Sequence, residues 1–439
     1  MRFTTAELAA ATGGEVFGRP AEVDGASIDS RAVAPGQLFV PLVAERDGHD
    51  FIGAAVRAGA PAYLTSGPIE AATAVRVADT AEALTAVGRY ARSRLEGPVV
   101  GITGSVGKTS LKDLLASVGA TTWRTAASVG SFNNELGVPL TLANAADDTE
   151  LAVVEMGARG RGHIAKLCAV AQPTVGIVTV VAGAHLELFR TLDEVAIAKS
   201  ELVAALPATG TAVLNADDAR VDAMAAATAA TVVRFGRHGG DVRAEDVTLD
   251  DDLRARFVLR SPWGSAAVHL GVAGEHQVTN ALGAATAALA LGAPVEAVAE
   301  GLAGARLSAM RMDLITLADG VRVLDDAYNA NVASMLAALD ALAAVPAERR
   351  FAVLGTMAEL GDDAEAAHLE VADAAAAREI TVVAVAEDRY GAAGGDVVDG
   401  PEEAVARLAA AGLGPGDVVL VKASRAARLE RVVAALRER

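Results

Sequence analysis

Val99-Val-Gly-Ile-Thr-Gly-Ser-Val-Gly-Lys-Thr-Ser-Leu111 is an apolar strand that runs into a glycine turn, then into a lysine and two hydroxyl residues that open a helix. A turn of this kind points backbone N–H groups and a helix N-terminus at one spot, as a bound polyphosphate requires. Lys108 is placed to reach the outer phosphates, and Thr109 to offer its hydroxyl to Mg²⁺. Ile102 stands where the first glycine of G-x-x-x-x-G-K-[ST] belongs, so the loop has the shorter T-G-S-x-G-K-T form. Thr103, Gly104, Ser105, Gly107, Lys108, Thr109 and Ser110 are its expected nucleotide contacts. Packing gives no reason for Lys-Thr directly after glycine, so the stretch reads as a nucleoside triphosphate loop.

Outward from the loop, buried-strand runs alternate with helical patterns. Strands are expected at 151–156, 175–180, 211–215 and 231–235, which implies a parallel sheet with helices on both faces. Residues 242–270 have the period-two texture of antiparallel strands, and 275–291 read as an alanine-rich helix. Further strands at 321–324, 351–354, 380–385 and 418–421 predict a second, smaller open sheet. The fold class is therefore α/β in three domains. A small mixed α/β domain spans 1–96, a central phosphate-loop parallel-sheet domain 97–310, and a Rossmann-like α/β domain 311–439.

The chain has 439 residues, enough for two to four domains with their own cores. Its net charge of −18 disfavours a nucleic-acid groove, which needs a basic stripe. Anionic ligands must then be held by local donors and metal. The single cysteine, Cys168, excludes disulfide frameworks and cysteine-rich zinc sites. The opening MRFTTAELAAATGG reads as a capped helix ended by glycines rather than a signal peptide, and no run is long and apolar enough to span a bilayer. A soluble, cytoplasmic protein without membrane insertion is expected.

Glu155 ends a buried strand, and ligands of parallel sheets gather at strand C-termini, so it should face the phosphate loop and hold Mg²⁺ directly or through water. His185 follows the next strand; a structural histidine and a second-metal ligand are both open there. Lys199 lies on a helical pattern, and periodicity alone leaves a solvated surface lysine as the default. Asn133-Asn134 suits either turn chemistry or amides offered to a phosphate or carboxylate. The polar run Asp325-Asp326-Ala-Tyr-Asn-Ala-Asn331 at a strand end points to a ligand.

Taken in order, these stretches resemble the Mur ligases, ATP-dependent amide-bond formers of peptidoglycan precursor synthesis. The likeness runs nearly end to end, through DSR at 29–31, PGQLF at 35–39, DGHDF at 47–51, TGSVGKT, FNNELGVP, VVEMGA, AHLE, AKSE, VLNADD, DDAYNAN, VLGTMAELG with His368, and VKASR. The resemblance implies that Ser30 and Arg31 contact the uridine diphosphate end of the substrate. It implies Glu155 as a ligand of a first magnesium, His185 of a second, and Lys199 as a lysine carbamylated by CO₂. Asn134 joins the nucleotide contacts, Asn280 becomes an adenine contact, and Arg311 and Asp326 become ATP contacts from the C-terminal domain. Tyr328, Asn329 and Asn331 fall where one branch binds an incoming dipeptide, and the diaminopimelate-adding branch's Asp-Asn-Pro-Arg is absent.

The implied reaction adds D-alanyl-D-alanine to UDP-N-acetylmuramoyl-tripeptide with ATP and two Mg²⁺ ions, in a monomer. Sister ligases that add one amino acid, folylpolyglutamate-synthetase-like ligases and a phosphate-loop regulator or kinase are the alternatives. Four positions depart from the family pattern: His163, Arg190, Val332 and Ala423.

Overall fold

The computed structural model describes residues 1–69, 72–183, 189, 191–391 and 395–438. Its central sheet has nine strands, and the strand Val99–Thr103 lies between Leu151–Glu155 and Val175–Val178, parallel to both. Every residue of Val99–Thr103 and Leu151–Glu155 is buried, as strands covered by helices on both faces must be. From Val99–Thr103 the chain first builds Thr125–Ala127 and Leu151–Glu155 on one side, then crosses to Val175–Val178, Thr211–Asn215 and Thr231–Gly236 on the other. That reversal opens a crevice at the C-terminal end of Val99–Thr103, where the phosphate loop sits.

Residues 242–270 depart from the antiparallel expectation in one respect. Arg254–Ser261 and Gly264–Ala273 are antiparallel, but Val242–Leu249 runs parallel to Thr231–Gly236. The link 237–241 is too short for a crossover, so that pairing extends over Phe235–Val242 and Gly236–Arg243 alone.

The C-terminal sheet runs Asp313–Thr316, Arg322–Asp325, Val418–Lys422, Arg350–Leu354, Thr381–Val385, Asp396–Val398, parallel except for the first strand. The last strand of the chain to enter slots beside Arg322–Asp325, which brings Lys422 to the same edge as Asp326.

The N-terminal sheet has five short strands and docks on the central lobe through the helix Thr80–Arg94. A Cβ on Gly88 of that helix would lie 2.6 Å from Cα of Pro139, so the close approach requires glycine. Asn144 accepts the N–H of Ala26 at 3.0 Å and donates to its carbonyl at 2.9 Å, fastening the sheet edge to the central lobe. One apolar core runs unbroken from Met1 to Ala230 across this junction. Among the described residues, no helix is long and apolar enough to cross a membrane.

Candidate active site

The phosphate loop is shaped by two glycines. Gly104 has φ 151°, and a Cβ there would come within 1.8 Å of Thr179 Oγ1; Gly107 has φ 85°, and its Cβ would lie 2.4 Å from Asn280 Oδ1. Only glycine takes such backbone without strain. The loop is tied to the next strand end: Ser105 N–H donates to Val180 O at 2.8 Å, and Thr179 Oγ1 to Val106 O at 2.6 Å. Lys108 curls back over it, with Nζ 2.7 Å from Gly104 O and 3.3 Å from Ser105 O. Burial lowers the Lys108 pKa; Glu155 opposes this and Arg311 adds to it.

At the helix end of the loop, Thr109 Oγ1 donates to Glu155 Oε2 at 2.8 Å, and Asn133 Nδ2 donates to Glu155 Oε1 at 2.8 Å. Arg311 arrives from the third lobe, its Nη2 donating to Thr109 Oγ1 at 3.2 Å and to Ser131 Oγ at 3.3 Å. Its guanidinium stacks 4.1 Å above the Tyr328 ring, and its buried Nε has no partner among the described residues. Met310 and Met312 on either side take left-handed backbone, with φ 61° and 53°. Such strain of about 1 kcal/mol or more per residue persists where surrounding contacts over-determine the segment.

The donor set is hard. A carboxylate that is 1% exposed faces a hydroxyl, and no three His, Cys, Asp or Glu side chains gather among the described residues. Mg²⁺ fits such a place, because it binds through one or two protein oxygens and takes its other ligands from phosphates and water.

Lys199 corrects the reading of periodicity as a solvated lysine. It is 4% exposed on Leu192–Ala204 and shares the inward face with Val195, Ala198, Leu202 and Val203. Burial pushes its pKa well down, and neighbouring Lys108 pushes the same way. His185 and Arg190 lie outside the described residues.

Asn280 is buried beside Gly107 and donates to Gln277 Oε1 at 2.7 Å. Asp326 accepts from Met312 N at 3.2 Å and pairs with the buried Lys422 at 2.5 Å; Lys422 also donates to Asn329 O at 2.8 Å. Sequence reasoning gave Lys422 no role, although it ends a strand as Asp326 follows one. Asn134 lines the cavity but its oxygen caps the helix Gly137–Ala143, accepting from Gly137 N at 2.9 Å. The amide that reaches Glu155 belongs instead to Asn133.

Asn331 caps Val332–Ala344, accepting from Ser334 N at 2.9 Å. Val332 is thus the first helical residue, a position whose N–H has no partner within the helix, so either valine or proline can stand there without loss of a helical hydrogen bond. Ala423 is fully buried and is absent from the left-handed residues, so alanine sits there without strain. His163 is exposed and opens His163–Ala171, whose N-terminal N–H groups at Gly162 and Ala165 donate to Glu201.

A cavity of about 1080 Å³ joins the phosphate loop, Glu155, Lys199, Asn280, Arg311, Asp326, Tyr328, Asn329 and Asn331, with Ile28 contributed by the N-terminal lobe. A second, of about 670 Å³, shares the walls Ile28, Phe132 and Leu140 and extends past Ser27, Asp29, Arg124 and Asn144. Ser30 and Arg31 line neither. Arg31 instead bonds Asp29 through Nε and Nη2 at 2.9 and 2.7 Å and holds that carboxyl down at about 2.

Asp325 is buried beside Asp326 and opposite Asp313 in the strand pair, and burial pushes its carboxyl up to about 6. Between about pH 4 and 6 the folded chain holds more protons than the unfolded one, so stability falls as pH rises through that window and stays lower above it. Asp325→Asn keeps an acceptor for Ala327 N–H and is expected to stabilise the protein by about 1–3 kcal/mol at pH 7.5. At pH 4 the gain should vanish, as urea unfolding at both pH values will report.

Residues 102–288 match the Mur ligase middle domain, and 310–425 the Mur ligase, glutamate ligase domain. UDP-N-acetylmuramoyl-tripeptide–D-alanyl-D-alanine ligase of Mycobacterium tuberculosis is 43% identical, over 93% of this chain and 91% of its own. The chain belongs to the Mur ligase family. The Escherichia coli protein of the same name is 36% identical over 99% and 98% of the two chains. Crystal structure I of MurF from Acinetobacter baumannii superposes with a TM-score of 0.89 at 32% identity, covering 100% and 99%. MurF ligase from Thermotoga maritima in complex with ADP gives 0.82 at 28%, covering 95% and 97%. The three-part α/β architecture read from the sequence is thus that of solved Mur ligases.

Proposed function

We propose that the chain joins D-alanyl-D-alanine to UDP-N-acetylmuramoyl-tripeptide in peptidoglycan precursor synthesis, working in the cytoplasm where ATP is available. One observation carries the reading. A single cavity holds a phosphate loop, a buried Lys199 and the Tyr328-Asn329-Ala-Asn331 strand end, with the N-terminal lobe closing one side. Full-length relatives of that name support the choice of substrates.

A carboxylate is a poor acylating agent, because its leaving group would be an oxide ion. In the proposed reaction its oxygen attacks the terminal phosphorus of ATP, ADP departs, and an acyl phosphate forms. The dipeptide amine then attacks the acyl carbon, loses a proton, and phosphate leaves as the amide closes. The barrier to the first step is the approach of two anions. Lys108 and Arg311 supply positive charge on two sides of the phosphates, and the loop N–H groups hold them in line. Asn280 and Asp326 contact the nucleoside, while Tyr328, Asn329 and Asn331 orient the amine.

Thr109 and Glu155 would hold Mg²⁺, which when bound screens phosphate charge. Lys199, as a carbamate, would offer a second ion an anionic oxygen on a long arm, together with His185. CO₂ adds only to a neutral amine, and the burial that lowers the Lys199 pKa favours that form. The adjoining cavity past Asp29 and Arg124 would take the sugar-nucleotide end, and Ser30 and Arg31 would reach it by a shift of their loop.

Incubation with ATP, UDP-sugar tripeptide and either D-alanyl-D-alanine or single amino acids tests the assignment. Phosphate release and a new amide mass are expected with the dipeptide alone. Release with a single amino acid would move the chain to a sister branch or a folylpolyglutamate-synthetase-like activity, and a phosphorylated product to a kinase.

A further inference from the structure

Lys112 lies one turn beyond the phosphate loop and is 2% exposed, yet it faces neither cavity. A charged lysine is almost never buried so deeply unless its donors are engaged. Its Nζ donates to Ser128 O at 2.7 Å and Gly130 O at 2.9 Å, and pairs with Asp113 Oδ1 at 2.8 Å. The other oxygen of Asp113 accepts the N–H of Ser308 at 2.7 Å. Two adjacent charges on one helix therefore grip two distant segments.

Those segments converge again at Thr109. The first carries Ser131, whose hydroxyl lies 3.3 Å from Thr109 Oγ1, and Asn133, which bonds Glu155. Ser128 Oγ in the same segment accepts the N–H of Glu155 itself at 3.3 Å. The second segment carries Arg311, three residues past Ser308, between the two left-handed methionines. We propose that Lys112 and Asp113 form a positioning couple that sets the Ser128–Asn133 and Ser308–Arg311 segments around the Thr109–Glu155 oxygen pair. The couple thereby joins the third lobe to the metal end of the nucleotide site. The proposal rests on the reading of that cavity as a magnesium–nucleotide site, but not on which amine is the acceptor.

The test measures ADP affinity by calorimetry, with Mg²⁺ and with EDTA, in the full chain. Lys112→Met is expected to cut the Mg²⁺-dependent gain in ADP affinity by about tenfold or more, the scale of losing an outer support of a metal ligand, with little change in EDTA. Asp113→Ala, which frees the Ser308 segment and removes the counter-ion, should lower the same gain at least about fivefold. It carries the test if Lys112→Met fails to fold. Asp113→Asn, which keeps an acceptor for Ser308 N–H, should recover part of it.

Ser117→Ala is the matched control: on the same helix, Ser117 Oγ donates to Gly301 O at 2.7 Å, away from the site. Its Mg²⁺-dependent gain should equal wild type whatever its melting temperature. A gain unchanged in Asp113→Ala, or reduced as much in Ser117→Ala, would overturn the positioning role. Failure of the wild type to release phosphate with the dipeptide would sink the acceptor assignment and leave these binding ratios intact.

Discussion

Lys199→Ala is expected to lower turnover by about three orders of magnitude, with partial recovery when formate or acetate is added. Lys199 is buried on the core face of its helix, in the field of Lys108. Burial disfavours the ammonium form and repulsion from Lys108 adds to it, so the neutral amine is favoured. A lysine of depressed pKa destabilises the fold below that pKa, and the cost fades as pH rises toward the unfolded value of about 10.5. Deleting the amine removes this cost, which offsets part of the loss of the buried methylenes, and thermal unfolding at pH 7 measured beside turnover separates lost chemistry from lost structure.

A carbamate on this arm would present an anionic oxygen where the bare amine presents none. Formate or acetate can occupy the space vacated in Lys199→Ala and supply a similar oxygen, whereas chloride at equal ionic strength should not. Steady-state phosphate release in each salt distinguishes these cases. Wild-type turnover in Lys199→Ala without additive would end the carbamate proposal.

The phosphate loop was readable because each of its features is local: an apolar strand, two obligate glycines, a lysine and a hydroxyl in one run. Glu155 was readable for a similar reason, since a carboxylate ending a fully apolar strand must lie at the sheet's C-terminal edge. Lys199 was legible in principle, because Val195, Lys199 and Leu202 follow the spacing of one buried helix face. Counting the lysine as polar hid that face. Asn133 and Asn134 differ by which side of a turn each amide leaves, and adjacent identical residues carry no such signal.

Lys112 was silent for a different reason. Besides its neighbour Asp113 its partners are backbone carbonyls, which every residue possesses, so no side-chain pattern in the sequence marks the distant segment it holds. Lys422 meets Asp326 only because the last strand inserts beside Arg322–Asp325, a choice of strand order that no local run encodes. Nor could the link 237–241 be read as joining parallel strands, since short connections normally join antiparallel ones.

Glu155→Gln isolates charge from structure at the same site. In the native arrangement Oε1 accepts from Asn133 Nδ2 and Oε2 from Thr109 Oγ1. A glutamine can keep its oxygen toward Asn133 and turn its NH₂ toward Thr109, whose hydroxyl accepts as readily as it donates. Both bonds survive, so the melting temperature should move little. The negative charge is lost, and a neutral amide is a far weaker ligand for a hard divalent ion. We therefore expect kcat/KM for ATP to fall by about a hundredfold or more, with the Mg²⁺ concentration for half-maximal rate rising in step. ADP binding in EDTA should stay near wild type, because the loop N–H groups and Lys108 remain. The same separation should fail in Glu155→Ala, which strands the Asn133 amide and costs about 1–3 kcal/mol of stability as well. A Glu155→Gln enzyme with unchanged Mg²⁺ dependence would mean that this carboxylate only props the helix and the Asn133 turn.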